Sequence, residues 1–519
     1  MNNIKILWAD DEIDHLRAHL LFLEEKGYDV KTVNNGLDAI DSVRDNHFDL
    51  VFLDENMPGI SGIEALKVIQ ELNANIPVVM ITKSEEDHIM EDAIGGKIAD
   101  YLIKPVNPRQ ILSSIKKLID NKRLVMESVT QRYQQDFRTI GMTFMDHMDW
   151  SKWKDTFKKL VYWETEMASS DETGMEDILK TQKMDGNREF SKYIEKNYLN
   201  FIHSSASDED SPMMSHNLIK RGILPEKKQG EPFFLLLLDN LRFDQWKVIE
   251  EEISNHYRIV NEDIYMSILP TTTQYARNAI FSGLMPLDIE KRFGDKWSND
   301  EDEGGKNLHE AHFLNDQLKR LRTGYDSKYI KVTNLNNAKS MVDQLPNLVG
   351  EEFVTIVYNF IDTLSHARTD SKVMRELAED EAAYRALTKS WFMHSPLLEA
   401  IRYLSSKRVK IVITTDHGSV HVDNPVKVQA GKDTTTNLRY KTARRIDYNP
   451  KEVFTVKDPH DALLPKQHMS SSYIFSKEND FFVYPNNLNH YAKYYKDTFQ
   501  HGGISMEEML IPLITLEPK

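Results

Sequence analysis

Apolar and polar positions follow a strand–helix rhythm over the first 120 residues. The runs KILWAD, DVKTV, LVFLD, IPVVMIT and DYLIKP are separated by amphipathic stretches. That rhythm predicts a parallel sheet covered by helices, with ligands at the carboxyl ends of the strands. Beyond it the period lengthens. ILSSIKKLIDNKRLVMESVTQRYQQDF, WSKWKDTFKKLVYWETEM and a stretch around FSKYIEKNYLNFI repeat tryptophan and methionine at helical spacing, which predicts a small bundle. SSASDEDSPM at 204–213 is polar and acidic and reads as a solvated loop. The α/β rhythm then restarts. FFLLLLDN at 233–240 is apolar throughout its strand-sized part, as a central parallel strand buried on both faces should be. FVTIVYNFID at 353–362, VKIVITTDHG and the last apolar run, MEEMLIPLITL, continue the pattern. The expected organisation is an α/β domain over 1–120, a helical linker bundle over 121–225 and a second α/β domain over 226–519.

Composition narrows the function classes. A chain of 519 residues is too long for one ordinary core. Its apolar runs fall short of the roughly 20 residues that span a bilayer. No basic segment followed by an apolar stretch opens it, so no secretory signal and no membrane partner are expected. The chain has no cysteine, which excludes disulfides, thiolate metal sites and cysteine nucleophiles, and fits a cytoplasmic location. The formal net charge of −16 argues against broad affinity for duplex DNA. The absence of a basic recognition helix points the same way. A small anionic substrate stays compatible, because a local metal site reverses the sign of the field.

Polar residues stand at the predicted strand ends of the first domain. Asp10 and Asp11 end the first strand, Asp54 the third, Thr82 the fourth and Lys104 the fifth. Three converging carboxylates repel one another unless a hard cation such as Mg²⁺ joins them. An ammonium and a hydroxyl beside them suit a phosphoryl group on one carboxylate. Over its whole length this segment resembles the response-regulator receiver domain, a flavodoxin-like doubly wound fold, and LDENMPGISG matches the family's segment after the phosphoacceptor. The resemblance implies Asp54 as phosphoacceptor. It implies Asp11, Asp54 and the Asn56 carbonyl as Mg²⁺ ligands, with Asp10 acting through water. Thr82 and Tyr101 would be the switch pair and Lys104 the phosphate contact. The departure is Lys83, where a small residue usually follows the switch Thr.

In the last region Asp239, Asp362, His366, Asp416, His417 and His501 fall at predicted strand ends or in adjoining loops. Mixed Asp and His ligands in that number suit two divalent ions with open positions for substrate. Asp362 and His366 share a face if the chain turns helical there. LPTTTQYARNAIFSGL places hydroxyls before a helical segment, where backbone N–H groups favour an anion. These residues resemble the alkaline phosphatase superfamily, and its PglZ branch most. The resemblance implies one metal site from Asp362, His366 and His501 and another from Asp239, Asp416 and His417. Superfamily members place a Gly ten residues after the nucleophile. Counting back from Gly283 gives Thr273, with Arg277 where an Arg often follows; Thr271 is the second candidate. Three imidazoles favour Zn²⁺ over Mg²⁺. His309, His312 and His421 read as ordinary surface or strand positions, and Lys441, Arg444 and Arg445 as candidates for the mouth of the site.

The whole chain resembles the receiver–PglZ response regulators associated with type IX secretion. This implies a cognate histidine kinase, a phosphorylation-dependent homodimer and a zinc-dependent phosphodiesterase acting on small nucleotides or oligonucleotides. The alternatives are a phosphomonoesterase, or a signalling adaptor whose PglZ-like domain binds a nucleotide or a protein. A transcriptional effect would pass through another protein, such as a sigma factor.

Overall fold

The computed structural model describes the chain apart from residues 1–3, 74–75, 84–97, 169–172, 205–210, 229, 300–301, 303–304, 371–379, 432–433, 467 and 487, and without the side chains of 120–129, 173–174 and 366–370. Most of the expected 204–213 loop therefore lies outside the described residues. The chain divides into two compact units, Met1–Gln135 and Asp136–Lys519. Among the described residues no helix is long and apolar enough to cross a membrane.

In the first unit, β1 (Lys5–Ala9), β2 (Asp29–Val33), β3 (Leu50–Asp54), β4 (Val78–Thr82) and β5 (Asp100–Ile103) form one sheet in the order β2-β1-β3-β4-β5. All its pairings are parallel. The side-chain period of two sorts the strands into two cores. Leu7, Ala9, Val51, Leu53 and Met80 pack on one face, and Ile6, Trp8, Phe52, Val79 and Ile81 on the other. Ser61 and Glu64 close a reciprocal capping box at the start of helix Gly62–Leu72.

The second unit contains helices Trp150–Ala168 and Thr173–His203, whose facing aromatics meet at Trp153 and Phe190, 5.1 Å between ring centres. Trp153, Phe157, Leu160 and Trp163 form a buried stripe, so their spacing does mark core. The unit's main sheet is built from β6 (Phe233–Leu238), β7 (Tyr257–Met266), β8 (Lys328–Val332), β9 (Phe353–Tyr358), β10 (Lys410–Thr414) and the C-terminal strand Leu510–Pro518. The order is β7, the C-terminal strand, β10, β6, β9, β8. The last four run parallel, whereas the C-terminal strand is antiparallel to both of its neighbours. All six residues of β6 are buried, because it lies inside the sheet and is covered on both faces.

Register places the candidate ligands at one edge. Thr414 pairs with Leu237 and Tyr358 with Leu238, so the segments after β10, β6 and β9 leave the sheet side by side. The C-terminal strand runs the other way, with Leu513 beside Thr414, and its approach segment, including His501, arrives at that edge. One local expectation changes. The run FVTIVYNFID is not extended to its end: β9 stops at Tyr358 and helix Phe360–Asp370 begins. Asp362 is in the first turn of that helix rather than at a strand end, and its four-residue spacing to His366 is helical.

Candidate functional site

In the first unit Asp10 and Asp54 are buried and Asp11 is exposed, and each offers an oxygen within 4.8 Å of the others. This all-oxygen set fits Mg²⁺. Lys104 Nζ lies 3.0 Å from Asp10 Oδ2 and 2.9 Å from Asp54 Oδ1. Burial, reinforced by the neighbouring Asp10, outweighs Lys104 and pushes the Asp54 carboxyl up to about 6. Burial also opposes the Lys104 charge, yet its bonds to Asp54 and Asp10 raise its pKa. Gly62 is required beside the site, since a Cβ there would fall 2.1 Å from the Asp54 carbonyl oxygen. Thr82 ends β4 buried, and its hydroxyl donates to Glu55. Tyr101, two positions along β5 from the partner of Thr82, is 47% exposed. Asn56, two residues after the phosphoacceptor candidate, is exposed. Lys83 reaches Glu12 at 3.8 Å in an exposed pair.

In the second unit Asp239, Asp416 and His417 are buried, with one ligand atom from each within 4.8 Å of the others. Two carboxylates and an imidazole fit a divalent metal ion of the zinc class. His417 Nε2 is 3.8 Å from Asp239 Oδ1 and 3.9 Å from Asp416 Oδ2. The other ring nitrogen, Nδ1, lies 3.0 Å from the Gly418 carbonyl oxygen, which selects the tautomer whose unprotonated Nε2 lone pair points into the set. His501 stacks on His417, with ring centres 4.2 Å apart, and its Nε2 is 3.7 Å from Asp362 Oδ1. Five of the six ligand candidates thus converge. The side chain of His366 lies outside the described residues.

The threonines separate by environment. Thr273 Oγ1 is 3.1 Å from His417 Nε2 and 3.4 Å from Asp239 Oδ1, and it is only partly buried. Thr271 is fully buried; its hydroxyl donates to the Gly503 carbonyl at 3.0 Å and accepts from the Gly502 N–H at 2.9 Å. Thr273 faces the Asp239–His417 set and Thr271 ties the His501 loop.

Arg277 forms the floor of the centre. It pairs with Asp239, sits 2.9 Å from Asp416 and is held from behind by Glu310 at 3.5 Å and Asn359 at 3.3 Å. Burial pushes the Asp239 carboxyl upward against Arg277, whereas at Asp416 burial is outweighed by Arg277 and His417 and the pKa falls. Glu310 is buried and also accepts from Tyr329 and from Lys331 at 2.8 Å. Sequence reasoning missed Glu310, because an acid in a polar insertion carries no periodic signal. It also missed Glu508, which accepts from Gly503 N–H at 2.9 Å and from Arg439 at 2.6 Å. Lys441, a candidate for the site mouth, is buried; it donates to the Thr435 carbonyl at 2.7 Å and faces the Tyr484 ring. Arg444, Arg445 and His312 are exposed. His421 lies on strand Val420–Val422 with its ring against Phe499.

Family models match three consecutive segments: the response regulator receiver domain over residues 6–116, the PorX response regulator linker domain over 123–202, and the BREX system PglZ alkaline phosphatase-like domain over 218–516. The last spans more than half of the chain. The chain is a PorX-like response regulator of the PglZ family. The regulator is 34% identical over 138 residues to the transcriptional regulatory protein ZraR of Klebsiella oxytoca, covering 27% of this chain and 31% of that protein. It is 38% identical over 117 residues to a CpxR homolog of Haemophilus influenzae, covering 22% and 50%. It therefore spans from about a third to half of the length of these curated relatives. A solved CheY-like receiver domain protein from Methanospirillum hungatei is 26% identical, with 23% of this chain and 96% of that chain covered and a TM-score of 0.23. The receiver domain implies a cognate histidine kinase as partner.

Proposed function

We propose that the regulator is a zinc-dependent phosphodiesterase acting on small nucleotides or short oligonucleotides, governed by phosphorylation of Asp54. The observation that carries the catalytic reading is the Thr273 hydroxyl, within 3.4 Å of both Asp239 and His417. Asp239, Asp416 and His417 would hold one zinc ion, and Asp362, His501 and His366 a second. When bound, the ions would supply Lewis-acid stabilisation of the attacking and leaving oxygens. Thr273 would attack phosphorus through Oγ1, forming a phospho-threonine and expelling an alcohol, and water would then release phosphate monoester. Arg277 would keep Asp239 and Asp416 turned toward the centre, because it binds an oxygen of each.

In the receiver, Asp54 would take the phosphoryl group from the kinase, and Lys104 would move from its carboxylate partners to that group. Thr82 would leave Glu55 to meet it, with Tyr101 following, and receivers would pair into a homodimer. On the resemblance of the whole chain, the process regulated is type IX secretion. Turnover of bis-nitrophenyl phosphate against nitrophenyl phosphate, alongside metal analysis, tests the catalytic reading. Zinc-loaded protein that prefers the bis-ester, and loses turnover in Thr273→Ala, is the expected result. Preference for the mono-ester would make it a monoesterase. Zinc binding without turnover of either would leave the adaptor reading in its place.

A further inference from the structure

The helical linker is tied to the metal centre by a buried ionic cluster. Lys183, on helix Thr173–His203, lies 3.0 Å from Glu164 of helix Trp150–Ala168, 2.9 Å from Glu381 and 3.2 Å from Glu507. Arg385 adds contacts to Glu164 at 2.6 Å and to Asp244 at 3.2 Å. Arg242, three residues after Asp239, pairs with Asp244 at 2.5 Å. One helical turn after Lys183, Asn187 donates to Glu507 Oε2 at 2.9 Å and accepts from the Met506 N–H at 2.7 Å. Between them Gly186 leaves room for Phe144 and Met506, since a Cβ there would lie 2.9 Å from the Phe144 ring and 3.0 Å from the Met506 terminal methyl carbon.

The Met506–Met509 turn so gripped belongs to the segment that follows His501 and touches the loop of His417. Glu508 O accepts from the Gly418 N–H at 3.1 Å, and the Glu507 carbonyl lies where a Cβ on Gly418 would come within 2.0 Å. Glu508 also accepts from Gly503 N–H, two residues beyond His501. A cavity of about 330 Å³ opens beside Lys183 and Glu507, so the cluster is not fixed by close packing alone. Charges removed from water at this density are costly unless each meets a partner, so losing Lys183 would release the Glu507 segment rather than leave it in place.

We propose that Lys183 and Asn187 are positioning residues for the metal centre: through Glu507 and Met506 they hold the segment that carries His501 and buttresses His417. The linker is then a working part of the catalytic unit, and a displacement of its helices alters metal affinity. The proposal rests on the zinc phosphodiesterase reading for its zinc and activity arms, and its exchange arm stands without it.

The test uses the full chain and the variants Lys183→Met, Lys183→Arg and Asn187→Ala. Zinc affinity is read by chelator competition, kcat and KM on the bis-ester, and hydrogen exchange of residues 416–418 and 501–508 without metal. Lys183→Met and Asn187→Ala should weaken zinc binding by about tenfold or more. Both should lower kcat more than they raise KM and speed exchange in those two segments, and Lys183→Arg should recover most of the loss. Folded variants with zinc affinity and exchange within about twofold of the parent would overturn the proposal, that change being under half of a tenfold effect in free energy. Should Lys183→Met fail to fold, Asn187→Ala decides by the same readouts. If the parent neither binds zinc nor turns over ester, the catalytic reading falls, while the exchange data still decide whether the linker holds these loops.

Discussion

Thr273 and Thr271 differ by two positions in sequence and by role in space. Thr273→Ala should abolish ester turnover while changing the melting temperature little, because its partly buried hydroxyl meets the Asp239 and His417 side chains and ties no backbone group. Thr271→Ala should instead destabilise the protein by about 1–3 kcal/mol, since Gly502 N–H and Gly503 O lose their common partner. Kinetics and urea unfolding of the two variants check this; equal loss of turnover with no loss of stability in Thr271→Ala would reverse the assignment. Lys441 gives a second residue-scale prediction. Burial pushes its ammonium down to about 7 from an ordinary value of 10.5. Between those values the unfolded chain binds more protons at this residue than the folded one, so its contribution to stability rises with pH. Below pH 7 the burial cost is fully present, and above 10.5 it vanishes. Compared with Lys441→Met, the native chain should therefore gain stability between pH 7 and 10, by an amount on the order of 3 kcal/mol. Urea midpoints that run parallel for the two proteins across that range would refute it.

At the scale of elements, the His417 loop and its supports behave as one piece. Gly418→Ala would drive a Cβ into the Glu507 carbonyl, 2.0 Å away, and one of the two backbones must shift. The expected outcome is loss of zinc binding together with destabilisation of more than about 2 kcal/mol, measurable by chelator competition and urea unfolding. Arg277→Met would leave Asp239 and Asp416 buried without their counter-charge, at a cost of about 3–5 kcal/mol. Added zinc should restore part of that stability, because the ion replaces the missing cation. A thermal shift by zinc no larger in Arg277→Met than in the parent would argue that the carboxylates do not face the metal position.

At the scale of the molecule, the receiver and the output unit are linked through the same chain that supplies Lys183. Beryllofluoride with Mg²⁺, which mimics a phosphoryl group on Asp54, should shift sedimentation toward a dimer and change ester turnover. Asp54→Asn should abolish both responses. Unchanged sedimentation and turnover in the parent would separate the receiver from the output. The domain rhythm of the whole chain was legible because each layer has its own period: near-continuous apolar runs for strands buried on both faces, 3.6 residues for the linker helices. The acids Asp239 and Asp416 were equally legible as candidates, since each closely follows an apolar run of strand length. Asp362 was placed at a strand end because an apolar run carries no mark of where extended backbone turns helical.

Strand periodicity and strand-terminal acids were enough to place two α/β units, an acidic cluster in the first and an Asp–His set in the second. They act locally, so a linear reading can see them. Which threonine faces the Asp–His set depends on how the extended Thr272 backbone enters the following turn, and that depends on packing. The grip of Lys183 and Asn187 on Glu507 joins residues more than 300 positions apart. So does no local propensity: Arg277 finds Glu310, and Thr271 finds Gly502, only after the sheet has ordered its strands and brought their ends to one edge. Partner choice among buried charges is set by desolvation and distance, and both exist only in the folded chain.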